Sequence, residues 1–439
     1  MRPLPPIPEW VLLEHEVAKI LTQQEIHGWY FDERAAWKLA SSLRTELEQT
    51  CKLLRDRHPF VAGPEFTPKR NNKTSGYIEG CTFTRLKETN PTSRDHISWI
   101  LQTHYDWKPT QFAKKTEKPI IDEVILKEIS ANATPAKEDE PIGLKEVADG
   151  FRTCLDITKK LGMISEGVNA WLRLCTNANR IHHHASVGTN THRCSHRKPN
   201  LTCVPSENEF RELFQASPGQ LMVGADLAGI ELRMLAHYLA RFDGGRYADI
   251  LLNGDIHQVN ADALKVTRRQ VKSISYCFTY GGGNAKLGYT FDAQLSEAQA
   301  KKKGAEIRKK FVEAIPGLEQ LLEAVKKKAT EKGFLLSIDK RPIKVDSPHK
   351  ALNYLLQSSS AVVAKRWMVI NNETIKSTGL CASQLAFIHD ELQYECAPEH
   401  AGDLSTSLVY AAAAAGEYYN LRIPIAAEAK TGVSWADVH

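Results

Sequence analysis

Two apolar segments in the second half of the chain each end at an aspartate. The first covers residues 221–226, and the second covers residues 385–390. Short apolar runs that stop at a polar residue are typical of buried strands. The second run and residues 392–396 together predict a hairpin with Asp390 at its turn. Both Asp226 and Asp390 would then project from rigid elements, as a preorganised site requires.

A row of cationic and aromatic residues lies between these two segments. Its members are spaced four residues apart: Arg268, Lys272, Tyr276 and Tyr280. An α-helix would place them on one face over about 18 Å, at about 1.5 Å per residue. Guanidinium and ammonium groups bind phosphate oxygens, and aromatic rings stack on bases. An amphipathic helix with core tyrosines and solvated cations would show the same spacing, so the row alone leaves both interpretations open.

The combination of the two aspartates with this row narrows the chemistry. Two carboxylates held close together can bind a pair of Mg²⁺ ions, which clamp the attacking and leaving oxygens of a phosphoryl transfer. The His-Asp-Glu tripeptide at residues 389–391 is weak evidence alone, because such tripeptides recur by chance and a polar turn would explain it. The row adds cations for phosphates and aromatic faces for bases, so the combination predicts phosphoryl transfer on nucleotides.

The size and charge of the chain are compatible with such an activity. With 439 residues, the chain is long enough for two or three domains. Its formal net charge of +5 permits a polyanionic partner without requiring one. No apolar run approaches the roughly 20 residues that span a bilayer, so no membrane association is expected. Nine cysteines without a Cys-x-x-Cys motif favour a reducing, cytoplasmic location.

Helical patterns before residue 172 are interrupted by two polar stretches. Asp32 and Ser93 each precede a helical pattern and are expected to cap it. The expected helices cover residues 10–26, 33–57, 94–104 and 144–161. Residues 58–91 and 130–142 are rich in turn-forming residues and are expected to be loops, the first with an exposed tip or hairpin at residues 68–76.

The order and spacing of these motifs resemble those of family A DNA polymerases, the family of bacterial DNA polymerase I. The pattern is most similar to that of podovirus-type phage members. Residues 226–233 resemble the first polymerase motif, residues 268–281 the second, and residues 389–391 the third. Residues 191–205 resemble the segment of the family that contacts the primer, residues 254–257 the one that contacts the triphosphate, and residues 353–357 the one that contacts the minor groove. Residues 90–96 resemble part of the thumb, and residues 435–439 resemble the C-terminal end. The resemblance covers almost the whole chain.

The resemblance implies an α+β fold shaped like a right hand. Its palm would be an antiparallel sheet, and its fingers and thumb would be helical. The implied segments are a thumb with the N-terminal helices at 1–172, a first palm part at 173–238, fingers at 239–349 and a second palm part at 350–439.

The resemblance also implies roles for individual residues. Asp226 and Asp390 would be catalytic and would bind two Mg²⁺ ions, together with the carbonyl oxygen of Leu227. Lys272 would also be catalytic, as the group that protonates pyrophosphate. The implied nucleotide-binding residues are His257, Arg268, Lys272, Tyr276, Glu231 and Leu227. The implied DNA-binding residues are Arg193, Tyr280, Asn353, Gln357, His389 and Ser93.

The implied reaction is template-directed DNA synthesis. A primer 3′-OH attacks the α-phosphate of a dNTP, and pyrophosphate leaves. The implied partners are therefore primer–template DNA and dNTPs. Members of the family carry a 3′–5′ exonuclease domain before the matching region, and this chain is expected to lack one. A separate exonuclease or processivity subunit would then supply those functions.

Two other classes of protein remain as alternatives to a DNA polymerase. A single-subunit RNA polymerase shares much of this pattern, but it is disfavoured by Glu231, which would exclude a ribose 2′-OH, and by Glu391, where that class has serine. A non-catalytic DNA-binding relative would need neither the two aspartates nor the phosphate-binding row. Primer extension with dNTPs and with rNTPs separates these alternatives.

Three positions depart from the family pattern. Ala228 stands where serine is common, and no metal ligand is lost by the change. Cys277 stands where glycine is usual, and its side chain is expected to crowd the helix or the template beside it. His192 replaces the glycine before Arg193, which affects the local turn.

Overall fold

The structure is a computed structural model that describes residues 6–113, 115–133, 143–292 and 295–439. The chain forms two compact units. One consists of Met1–Ala35 and Arg173–His439, and the other is Ala36–Leu172.

Helices and short antiparallel strands make up both units. The helices are α1 Glu9–His27, α2 Glu33–Arg57, α3 Arg94–His104, α4 Glu123–Asn132, α5 Leu144–Leu161, α6 Trp171–Leu174, α7 Asn208–Arg211, α8 Ile230–Asp243, α9 Arg246–Asn253, α10 Ile256–Leu264, α11 Arg268–Thr279, α12 Asn284–Phe291, α13 Glu297–Ala314, α14 Leu318–Lys332, α15 Ala351–Thr378, α16 Ala401–Tyr418 and α17 Trp435–Val438. The strands are β1 Trp29–Phe31, β2 Phe60–Phe66, β3 Phe83–Glu88, β4 Arg180–Ile181, β5 His184–Ser186, β6 Ser195–Arg197, β7 Phe214–Gln215, β8 Leu221–Leu227, β9 Phe334–Leu336, β10 Pro342–Lys344, β11 Ala382–Ile388, β12 Glu391–Cys396 and β13 Ala427–Gly432.

The larger unit contains a four-stranded antiparallel sheet with the order β11-β12-β8-β13. Met222 and Val223 of β8 are fully buried, as the apolar run at this position predicts. The register places Asp226 of β8 opposite Glu391 of β12 on one side and opposite Glu428 of β13 on the other. The predicted hairpin is confirmed, since β11 and β12 pair directly around Asp390.

The long helix α15 packs in the core of the larger unit. Most of its residues are buried, and the indole of Trp367 donates to the carbonyl oxygen of Leu408 on α16 at 2.8 Å. Its buried positions lie on all sides of the helix, so the core surrounds it. Within the described residues, the helices are too short or too polar to cross a membrane.

The smaller unit has its own apolar core. Ile97 of α3, Leu126 of α4 and Phe151 of α5 are fully buried within it. β2 and β3 form a two-stranded hairpin whose side chains are mostly exposed. The segment expected as a loop with a hairpin tip is therefore a hairpin along much of its length.

The N-terminal residues belong to the larger unit. β1 is the middle strand of a three-stranded sheet with the order β4-β1-β7. Glu14 of α1 accepts hydrogen bonds from the buried ammonium of Lys365 on α15 at 2.7 and 2.8 Å. Residues 6–35 therefore group with the sheet and α15, whereas the family resemblance implied one thumb over residues 1–172.

The expected helix positions agree with α1, α2, α3 and α5. The carboxylate of Asp32 caps α2 by accepting from the Ala35 amide at 2.8 Å, as predicted. The prediction that Ser93 caps α3 is wrong, because its side chain forms no capping hydrogen bond although it occupies the N-cap position. The loop expected from residue 130 begins later, since α4 extends to Asn132, and residues 134–142 lie outside the described residues.

Candidate active site

Asp226 and Asp390 lie at the same end of the four-stranded sheet. Asp226 is close to the C-terminal end of β8, and Asp390 is in the two-residue turn between β11 and β12. The Leu227 amide donates to the carbonyl oxygen of Asp390 at 3.0 Å. His389, the other turn residue, has a left-handed φ of 60°. The turn therefore brings the second carboxylate-bearing segment against the first.

The two carboxyl groups have raised pKa values. Burial raises the pKa of Asp226 to about 7, and the negative charges of Asp390 and Glu391 add to the effect. Burial also raises the pKa of Asp390 to about 6, although the nearby guanidinium of Arg193 opposes the shift. Asp226 is exposed and Asp390 is half-buried, so the shifts reflect the cost of partial desolvation and of repulsion between neighbouring carboxylates. A cation bound between the two groups would remove much of that cost.

The available donors fit Mg²⁺. Asp226 borders an open cavity of about 380 Å³ that Glu391 and Glu428 also line. Mg²⁺ prefers oxygen ligands, keeps several waters and needs only one or two carboxylates. In the described part of the chain, no three His, Cys, Asp or Glu side chains are arranged as a metal site. Asp226 and Asp390 could hold such ions, with backbone oxygen and water completing the coordination.

An ion pair lies beside the two aspartates. Arg193 Nη2 donates to Glu231 Oε1 at 2.5 Å, and the guanidinium carbon lies 5.9 Å from the ring centroid of Tyr280. Glu231 is only 6% exposed, and within the described residues its Oε2 atom has no hydrogen-bond partner. Burial raises the pKa of Glu231, while Arg193 and a hydrogen bond with Tyr280 oppose the shift. Both members of the pair also affect the pKa of Asp390, so they are its neighbours.

The predicted row lies along α11. Burial is the main cause of the raised pKa of Tyr276, and Glu231, Asp390 and Asp226 add to it, which places the phenol near these carboxylates. The rings of Tyr276 and Tyr280 are 6.5 Å apart. Tyr280 is 47% exposed, so the row is not a stripe of core residues. The tyrosines are therefore not core residues, but the cations of the row are exposed, and its role in binding nucleotides stays a prediction.

The N-terminal end of α11 is cationic. Arg268 Nε donates to Asp255 Oδ2 at 2.7 Å. Asp255 also caps α10, because its other carboxylate oxygen accepts from the His257 amide at 3.0 Å. Arg268 and Lys272 both lower the pKa of His257, although burial is the larger cause. Since the His257 ring centroid lies 6.4 Å from that of Tyr276, this cationic end is continuous with the aromatic part of the row.

Four other residues that the resemblance implies bind DNA lie in different parts of the chain: Asn353, Gln357, His389 and Ser93. Asn353 of α15 is buried, and its Nδ2 donates to the Thr279 carbonyl oxygen at the end of α11 at 2.7 Å. Gln357 follows one turn later and is half-buried. The His389 ring lies 6.5 Å from the ring of His196, and its buried Nδ1 has no partner. Ser93 lies in the separate unit Ala36–Leu172.

Cys277 is accommodated inside the helix packing. Its side chain is buried, and its carbonyl oxygen accepts from the Gly282 amide at 2.8 Å. A Cβ atom at Gly282 would overlap Cys277 Sγ, so the glycine provides the space that the thiol occupies. α11 continues without interruption to Thr279. The expected crowding of the helix is therefore absorbed by the turn that follows it.

Two acidic residues near the candidate site were missed in the sequence. Asp255 precedes a helix and could have been found as a capping residue, but its pairing with Arg268 depends on the packing of α10 against α11. Glu428 faces Asp226 only because β13 pairs with β8. No local pattern predicts which strand becomes that neighbour.

Comparisons with known proteins identify the family of the chain. The family model for DNA polymerase family A matches residues 70–437. The DNA-directed DNA polymerases of Enterobacteria phage T3 and Escherichia phage T7 are each 31% identical to this chain, over 98% of the chain and 70% of the relative. A DNA polymerase I of Aquifex aeolicus is 25% identical over 57% of the chain and 45% of its own length.

A solved structure has the same fold. It is the POL domain of Pol1 from M. smegmatis in complex with DNA primer-template and dNTP. The TM-score is 0.74 at 20% identity, and the match covers 97% of this chain and 70% of that one. The right-hand α+β fold expected from the sequence is thereby confirmed.

The chain belongs to DNA polymerase family A. It is a DNA-directed DNA polymerase, and its relatives include phage enzymes of the type that the sequence pattern indicated.

Proposed function

We propose that this polymerase extends a primer on a DNA template with Asp226 and Asp390 as the carboxylates of a two-Mg²⁺ site. The observation that carries the proposal is the hydrogen bond between the Leu227 amide and the Asp390 carbonyl oxygen, which holds the two segments together. The raised pKa values of both aspartates support it. When bound, such ions lower the pKa of the primer hydroxyl and neutralise the leaving phosphates.

The cationic end of α11 would bind the triphosphate. Arg268 and His257 would hold its outer phosphates through charge-assisted hydrogen bonds. Lys272 is exposed and lies close enough to His257 to lower the pKa of that ring, so it is placed to reach the same phosphates. Lys272 would also donate a proton to the leaving pyrophosphate, because an ammonium can act as a general acid.

The ion pair and the start of α15 would select the sugar and contact DNA. Glu231 would fill the space of a ribose 2′-OH, held there by Arg193. Arg193, Asn353 and Gln357 would contact minor-groove acceptors, which all base pairs share. His389 would contact the primer end, and Tyr280 would stack at the template side.

The proposed domains follow from these roles. Residues 239–349 would be the fingers, because they carry the triphosphate-binding groups on α10 and α11. The sheet and α15 would form the palm. Residues 36–172, which include Ser93, would form the thumb, and the first 35 residues would support the palm unit to which they belong.

Primer extension tests the proposal directly. The purified chain is expected to extend a 5′-labelled primer with dNTPs, only in the presence of Mg²⁺ and only as the template directs. Efficient use of rNTPs in place of dNTPs would instead favour the RNA polymerase alternative. Binding of primer–template without extension would favour the non-catalytic alternative.

Tyr276→Phe is expected to increase discrimination against chain-terminating dideoxynucleotides by about tenfold to a hundredfold. A normal dNTP can place its 3′-OH against its own phosphates, but a dideoxynucleotide leaves that acceptor unpaired, which costs about 1–3 kcal/mol. The Tyr276 hydroxyl, close to Asp226 and Asp390, could restore the hydrogen bond. The measurement is the ratio of kcat/KM for dNTP over ddNTP in both proteins, and equal ratios would exclude this role.

We also propose that this polypeptide has no 3′–5′ exonuclease activity. The proposal is supported by the match of 97% of the chain to a polymerase domain. The purified protein is expected to leave a mismatched 3′ primer end intact when dNTPs are withheld. Primer shortening that scales with the amount of polymerase and survives repurification would refute the proposal.

A further inference from the structure

His192 has an unusual backbone conformation for its residue type. Its φ angle is 62°, in the left-handed region that favours glycine. Non-glycine residues persist there when the surrounding structure fixes them, and such residues cluster at functional sites. At this position the histidine side chain adds a hydrogen-bonding group to the turn.

The imidazole of His192 ties its turn to α15. Its Nδ1 atom lies 2.7 Å from Ser358 Oγ, and Ser358 Oγ lies 3.0 Å from Ser337 Oγ beside the β9–β10 hairpin. The backbone of Pro342, on the same hairpin, also hydrogen-bonds with the ring. Ser358 and Ser337 are both buried, which makes these hydrogen bonds costly to lose.

The turn is held at further points. The His192 amide donates to the Thr189 carbonyl oxygen at 3.0 Å, and the Thr189 hydroxyl donates to the Arg193 carbonyl oxygen at 2.6 Å. Asn190 Nδ2 donates to the Lys344 carbonyl oxygen at 3.1 Å. Among these contacts, the imidazole is the one that connects the turn to the helix carrying Asn353 and Gln357.

The surroundings keep the ring neutral. Burial lowers the pKa of His192 to about 4, and the nearby charges of Arg341 and Lys365 contribute. Those two cations are paired with Glu14 and Asp339 in a buried cluster. A neutral imidazole has one nitrogen that donates and one that accepts, which suits a contact with both a hydroxyl and a backbone carbonyl.

The next residue in the chain is Arg193, whose guanidinium binds Glu231. A shift of the turn would therefore move the cation that holds Glu231 in place. Glu231 is also hydrogen-bonded with Tyr280, so Arg193 and Tyr280 together hold its carboxylate.

We propose that His192 is a positioning residue, whose imidazole anchors the turn to Ser358 and thereby holds Arg193 on Glu231. The inference rests on the proposed role of Glu231 in sugar selection. Its consequence is that selection between dNTPs and rNTPs depends on a hydrogen bond outside the substrate site.

Two variants break the anchor in different ways. His192→Asn keeps a residue that tolerates the left-handed region but is too short to reach α15. Ser358→Ala removes the partner hydroxyl and leaves the histidine. Ser360→Ala, on the same helix, is the matched control, because the Ser360 hydroxyl is buried without a hydrogen-bond partner.

The first readout is the ratio of kcat/KM for dNTP over rNTP. It is expected to fall by about threefold to tenfold in His192→Asn and in Ser358→Ala, the range that one hydrogen bond supplies. It is expected to stay unchanged in Ser360→Ala. The second readout, amide hydrogen exchange of residues 189–193, is expected to accelerate in the first two variants alone.

The outcomes separate this inference from the proposed polymerase mechanism. Faster amide hydrogen exchange of residues 189–193 with an unchanged ratio of kcat/KM for dNTP over rNTP would overturn the inference, because the anchor would then have a structural role only. Unchanged exchange would overturn it as well. Failure of the wild-type chain to extend a primer would refute the proposed function, while the exchange measurement would still test the anchor. If His192→Asn does not fold, Ser358→Ala decides both readouts.

Discussion

Asp226→Ala is expected to reduce the rate of primer extension by at least about three orders of magnitude, and Asp390→Ala is expected to do the same. Each change would remove a carboxylate that holds Mg²⁺, and metal-ion stabilisation of developing charge supplies several kcal/mol of the barrier reduction. Affinity for primer–template should change little, because most DNA affinity comes from Lys and Arg contacts with phosphates. Single-turnover extension and fluorescence anisotropy measure the two quantities.

Glu428→Ala is the matched control for this experiment. Glu428 is an exposed carboxylate opposite Asp226 on the neighbouring strand, so its removal changes the local charge without removing a proposed ligand. We expect it to lower the extension rate less than tenfold. If the control loses as much activity as the aspartate variants, a general charge effect would replace the assignment of two specific ligands. Near-normal turnover by either aspartate variant would also contradict it.

Lys272→Ala is expected to lower kcat by about 10²–10³, the range typical of a lost general acid. Lys272 is exposed on α11, beside His257 and one turn from Arg268. Loss of its ammonium would remove both a phosphate contact and a proton donor. The two contributions can be separated, because they respond differently to a change from lysine to arginine.

Lys272→Arg keeps the positive charge but replaces an ammonium by a guanidinium that does not give up its proton. If proton donation matters, this variant is expected to recover the KM for dNTP while kcat stays low. Recovery of both parameters would show that Lys272 contributes charge alone.

Local patterns in the sequence predicted the elements that carry the site. The apolar runs predicted β8 and the β11–β12 hairpin, and the spacing of four predicted α11. These features depend on residues that are close in sequence, so periodicity and turn chemistry are sufficient to find them.

Contacts between distant segments were not predictable in the same way. The hydrogen bond from Leu227 to Asp390 joins residues 163 positions apart, counted as 390 − 227, and the pair of Arg193 with Glu231 joins two different elements. The missing side-chain cap at Ser93 also shows that a favourable residue type does not guarantee the hydrogen bond. Such contacts depend on three-dimensional packing, which a single sequence does not display.

The position of β1 between β4 and β7 has a consequence for synthesis on the ribosome. Residues 29–31 need strands from residues 180–181 and 214–215, and α1 packs against β11 near residue 388. Translation at about 5–20 residues per second leaves the first residues waiting roughly 20–70 s for that last partner. The unit Ala36–Leu172 is complete much earlier and can fold during that wait. Chaperone demand should therefore centre on α1, because its contacts with β11 and α15 form only after most of the chain has emerged.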